Sequence, residues 1–149
     1  MAKKDNERNV IRITSIDQLP STKTPLDMEF TTPEGIHEIK IRRLSHREWV
    51  EYEYREPMPV APQVVTKDGV KLNKEDDKYL IEVDKRRAQV ALKRLAACLQ
   101  IDIPGDTVDD KAEYIETNFP IGHTMAMYVS LLQLHGEGEA TVTRSETFQ

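Results

Sequence analysis

The stretch that most limits how this chain can fold is residues 26 to 42, where two alternating runs flank a short turn. In "LDMEFT" Leu26, Met28 and Phe30 alternate with Asp27, Glu29 and Thr31, and in "IHEIKIR" Ile39 and Ile41 alternate with Glu38, Lys40 and Arg42. A period of two sends successive side chains to opposite faces of a strand. "TPEG" lies between the runs, with Pro33 and Gly35 where a tight connection wants them, so the segment predicts a β-hairpin. The pattern also predicts the register. Thr31 opposite Ile36 sets Phe30 against His37, Met28 against Ile39 and Leu26 against Ile41, which gathers the apolar partners on one face. Glu29 then faces Glu38 on the solvent side, where the repulsion is weak.

Helix signals follow. "SHRE" is a capping box in which Ser45 and Glu48 satisfy each other's amides, so a helix starts there and should run to about Tyr54. Pro57, Pro59 and Pro62 forbid regular helix, and residues 57–73 read as an extended, mobile linker with a loose turn at Asp68-Gly69. Lys74 to Gln100 holds neither Gly nor Pro, and Ile81, Ala88, Leu92, Leu95 and Leu99 draw an apolar stripe on one helix face. "IDIPGD" ends it. "TVDD" then caps a short helix through Thr107 and Asp110, extending to about Asn118. Pro120 opens a last helix over residues 121–135, with Met125, Tyr128, Val129 and Leu132 on one face and Gly136 as its stop.

The ends are polar. Residues 1–25 form a flexible arm in which "VIRIT", Val10 to Thr14, alternates like a short strand and "SIDQLPSTKTP" reads as loop. Residues 137–149 form a flexible tail whose "ATVTR" suits an exposed sheet edge. The expected fold is therefore α+β, mostly α: an arm, a small β-hairpin plus helix (26–56), a linker (57–73), a three-helix part (74–136) and a tail.

Composition narrows the function classes. With 32% charged and 38% hydrophobic residues in 149, one modest core is expected. A net charge of -5 argues against a general nucleic-acid binder, because phosphate binding needs cations that outweigh local acids. Basic clusters at Lys40, Arg42, Arg43 and Arg47 and at Lys85, Arg86, Arg87, Lys93 and Arg94 are both flanked by acidic residues. Cys98 is the only cysteine, which excludes an internal disulfide, fits a reducing compartment and suggests a small buried side chain. "MAKKDNERN" has no apolar run behind it, and no stretch approaches the roughly 20 apolar residues of a membrane helix, so neither export nor membrane insertion is expected.

No catalytic, cofactor or metal set is apparent. His46, Glu48, Glu51 and Glu53 surround Trp49, but at 100° per residue His46 lies well round the helix from Glu48 and Glu51, so the four groups do not converge. His123 and His135 frame the last helix as capping or surface residues, His135 being suited to the negative end of the dipole. The four aspartates of "IDIPGDTVDD" lack the spacing of a calcium loop, and "GEGE" precedes neither a helix nor a lysine. Surface contacts remain. Trp49 should dock on the hairpin or the long helix, and Trp49, Met58, Val60, Val64, Val65 and Met127 are the apolar candidates for meeting a partner.

The order of elements resembles the tail assembly chaperones of long-tailed bacteriophages. The likeness spans roughly residues 36 to 136 and rests on "EIKIRRLSHREWVEY", "DKRRAQVALKRLAACL", "IDIPGDTVDDKAEYIETNFP" and "GHTMAMYVSLLQLHG". It implies a non-enzymatic, late-expressed protein of the host cell cytoplasm that coats the tape measure protein, helps the tail tube protein assemble, and leaves before the particle is complete. Such families are often made in two lengths by a frameshift, and self-association is a further candidate contact of this chain. They carry no catalytic residues to transfer. The alternative is an accessory protein retained in the tail, neck or baseplate.

Overall fold

The computed structural model describes residues 10–19, 21–22 and 24–136. Among these residues four α-helices and two separate two-stranded antiparallel sheets make the α+β, mainly helical fold that the sequence predicts. β1 (Leu26–Thr32) and β2 (Gly35–Ile41) form the first hairpin, followed by α1 (His46–Tyr54). β3 (Gln63–Thr66) and β4 (Gly69–Leu72) form the second, followed by α2 (Asp77–Cys98), α3 (Val108–Asn118) and α4 (Ile121–Leu134).

The first hairpin has the expected register throughout, Leu26 opposite Ile41, Met28 opposite Ile39, Phe30 opposite His37 and Thr31 opposite Ile36. Gly35 closes the turn at φ 135, a conformation that L side chains resist. Met28, Phe30 and Ile41 are buried, whereas Glu29 and Glu38 face outward. α1 begins at the capping box: the Glu48 amide donates to Ser45 Oγ at 3.2 Å and the Ser45 amide to Glu48 Oε1 at 3.3 Å. α3 begins where Thr107 Oγ1 accepts from the Asp110 amide at 3.1 Å, and ends at Asn118. Gly136, at φ 79, follows the last turn of α4.

The core lies between the inner face of the first hairpin, α1, the C-terminal half of α2, and α3 and α4. Chain ends of two elements are sewn together there. The Arg42 amide donates to the Cys98 carbonyl and the Gln100 amide to the Lys40 carbonyl, both at 2.9 Å, with Ile41 bridged to Leu99. These bonds occupy the outer edge of β2 and fix the end of α2 against it. Ile41, Leu95, Cys98, Ile115 and Leu131 are wholly enclosed.

Four expectations are corrected. Val10–Thr14 joins no strand; the arm instead makes one 3-10 turn at Ile16–Gln18, where Gln18 Oε1 accepts from the amides of Thr14 and Ser15. Residues 57–73 are not simply extended linker, because Val65 pairs with Val70 across a Lys67-Asp68 turn and Gly69 takes φ 119. The prolines stop at Pro62, and nothing after them opposes a strand.

The stripe on α2 is only half right. Leu92, Leu95 and Leu99 are buried, but Ile81 and Ala88 are exposed because the first half of the helix runs past the core. On α4 the expected face divides: Tyr128 and Leu132 pack half-buried against the core, Met125 and Val129 face solvent, and Met127 and Leu131 are the enclosed residues of a helix that packs on β1. The charged start, residues 1–9, and the tail, residues 137–149, lie outside the described residues.

Candidate partner-binding surface

Among the described residues β3 and β4 have no sheet neighbour but each other, and every residue of both strands is exposed. The register sorts their side chains: Gln63, Val65, Val70 and Leu72 share one face, and Val64, Thr66 and Lys71 the other. An isolated two-stranded hairpin is marginal in water, and one with three apolar side chains together on an open face has surface to give to a partner. The Asn73 amide donates to the Pro62 carbonyl at 2.8 Å and closes the hairpin's base.

The approach to the hairpin adds to this surface. Glu56, Pro57, Met58, Pro59, Val60 and Pro62 line one side of an open cleft of about 670 Å³, and Tyr79, Glu82, Arg86 and Gln89 of α2 line the other. Met58, Val60 and Val65 are open to water, Val60 and Val65 at 84% and 82%, and Val64 is exposed as well. Leu80 and Ile81 of α2 are exposed as well. Sequence patterning missed Val70, Leu72 and Leu80 as surface residues and assigned Ile81 to the core, although the β-branched flanks of "TKDG" carried the hairpin signal.

Two of the six partner candidates are in the interior. Met127 is 2% exposed and belongs to the core, so it cannot present its side chain to another protein in this fold. Trp49 is 8% exposed, held on one side by Arg94, whose guanidinium lies 4.0 Å from the ring centroid, and stacked with His135 at 4.4 Å. It docks on the long helix, one of the two neighbours expected for it.

The second basic cluster is largely spent on the fold. Arg94 donates from Nε and Nη2 to the Trp49 carbonyl at 3.2 and 2.8 Å and from Nη1 to the Tyr128 hydroxyl at 2.9 Å. Arg86 donates to the carbonyls of Glu53 and Glu56 at 2.7 and 3.2 Å, which satisfies groups at the end of α1. Lys93 pairs with the Glu56 carboxylate and lies 3.6 Å from Asp109; the hydrogen bond to Glu56 raises its pKa despite burial. These contacts tether the start of the proline segment to α2.

The acids around Trp49 do not converge. Glu48 is bound by Arg42 at 3.0 Å as well as by Ser45, and the Arg42 hydrogen bond holds its pKa below the ordinary carboxylate value. His46 is exposed, and Glu51 pairs with Arg55. Cys98 is enclosed, and burial pushes its thiol up to about 12, so it is no nucleophile at neutral pH.

His135 has a more specific job than dipole stabilisation. The Leu44 amide donates to Nε2 at 2.9 Å, which requires a lone pair there, and Nδ1 lies 2.8 Å from the Leu131 carbonyl, which requires the proton. The neutral ring thus bridges α4 to the β2–α1 connection. One cluster was invisible in the sequence: Glu34, His37 and His123 place ligand atoms within 4.8 Å of one another.

No family model, curated protein or solved structure matches the chain. No helix among the described residues is long and apolar enough to cross a membrane.

Proposed function

We propose that this chain is a non-enzymatic tail assembly chaperone of a long-tailed phage, acting in the host cell cytoplasm on the tape measure protein, the tail tube subunits or both. The observation that carries this reading is the exposed apolar face of Val65, Val70 and Leu72, preceded in the chain by the exposed Met58 and Val60 of the proline segment. A long helical client offers a repeating apolar stripe. Holding it reversibly calls for many weak contacts from a small projecting surface rather than one deep pocket. Lys67, Asp68, Lys71, Lys74, Glu75 and Asp77, close by in sequence and all exposed, supply mixed charge that keeps such a protein soluble when unoccupied.

The test is coexpression of a tape measure protein encoded beside this chain, with and without it. The chaperone reading expects the client to be soluble only in its company, and expects Val65→Asp with Val70→Asp to abolish that effect. Mass spectrometry of purified particles separates the accessory-protein alternative: abundant copies in mature particles overturn the chaperone reading in its favour.

A further inference from the structure

We infer that Glu34, His37 and His123 form a binding site for a zinc-class divalent ion that joins the tip of the first hairpin to the start of α4. Their ligand atoms lie within 4.8 Å of one another, and His123 Nε2 is 3.9 Å from Glu34 Oε2. The rings of His37 and His123 stand 5.6 Å apart, tilted by 47°. Two imidazoles and one carboxylate are a ligand set that zinc takes at tetrahedral sites, leaving a fourth position for water. Nitrogen donors favour zinc over magnesium, which demands oxygen.

The surroundings already orient the set. His37 stacks on Phe30 at 5.1 Å and is half-buried, so its ring is not free to swing. Thr32 Oγ1 lies 2.7 Å from His37 Nε2 and also accepts from the Glu34 amide at 3.2 Å. That hydroxyl either fixes the tautomer for ligation through Nδ1 or yields Nε2 to the ion. Glu34 sits in the turn and is largely exposed, so it closes on the two rings without disturbing the core. Occupancy would cross-link residues 86 positions apart and strengthen the seam between β1 and α4. All four histidines of the chain are described, and the other two, His46 and His135, lie on α1 and at the end of α4.

The site is tested on the full chain, stripped with a chelator and titrated with zinc against a chromophoric indicator. One equivalent should bind and the melting temperature should rise with zinc, while magnesium at the same concentration changes neither. His123→Gln and Glu34→Gln should each weaken binding by about tenfold or more, whereas His46→Gln leaves it unchanged. His37→Gln should also weaken binding by about tenfold or more; its fold is checked by circular dichroism without zinc because His37 also packs on Phe30. If it unfolds, His123→Gln decides. Absence of saturable zinc binding, or equal affinity in His123→Gln and the parent chain, overturns the assignment.

Discussion

The guanidinium of Arg94 lies over the ring of Trp49 at 4.0 Å and at the same time donates two hydrogen bonds to that residue's own carbonyl oxygen. One side chain of α2 therefore fixes both the backbone and the ring of the residue at the centre of α1. The third direction of the guanidinium is taken by Tyr128 of α4, so three helices meet on a group only 6% exposed.

Arg94→Met should leave the Trp49 carbonyl and the Tyr128 hydroxyl short of their donor and cost about 2–4 kcal/mol in urea unfolding. Arg94→Lys should recover little of that, because an ammonium cannot match the planar fork. A lysine variant as stable as the parent would mean that charge alone matters here.

Met127→Ala should cost about 2–5 kcal/mol, as expected for emptying a core site, and Met125→Ala should be nearly neutral. Thermal melts of the two variants test the rotation of α4 directly. The reverse order would restore the face that periodicity alone suggests.

Glu48 gives an acid-side signature. Its pKa is lowered, chiefly by the hydrogen bond from Arg42, so the pairing stabilises the fold above the ordinary carboxylate range and is lost as pH falls through the lowered value. Because both partners are about one-third exposed, Glu48→Gln should cost only about 0.5–1 kcal/mol at pH 7. The difference from the parent chain should vanish in acid. A cost that persists there would point to packing instead.

Cys98 gives the alkaline counterpart. The folded thiol titrates at about 12, above the unfolded thiol, so the proton is held more tightly in the fold. Stability should be full below the unfolded thiol's pKa of about 8.5 and decline as pH rises beyond it. Cys98→Ala should flatten that decline, and a thiol reagent at pH 8 should label the parent chain only after denaturant is added.

On the surface, Val65→Asp with Val70→Asp should change global stability by less than about 0.5 kcal/mol, since neither side chain contributes to the core. Combined with lost client solubility, that outcome separates a binding defect from a folding defect. A large loss of stability would show that the second hairpin is anchored more firmly than its exposure implies.

Local rules determined much of this protein from sequence alone. The alternation around "TPEG" set the first hairpin's register to the residue, and Ser45-Glu48 and Thr107-Asp110 set the starts of α1 and α3, because each of these depends on neighbours a few positions apart. Tertiary structure decided what those rules cannot reach. Which half of α2 is buried depends on where the core ends, and which stripe of α4 faces inward depends on β1, nearly a hundred residues earlier. Arg94 reads as a surface cation until Trp49 and Tyr128 arrive to satisfy it. Likewise Glu34 and His37 are ordinary turn and strand residues until the fold delivers His123, since long-range burial and convergence are properties of the packed chain and not of any window of sequence.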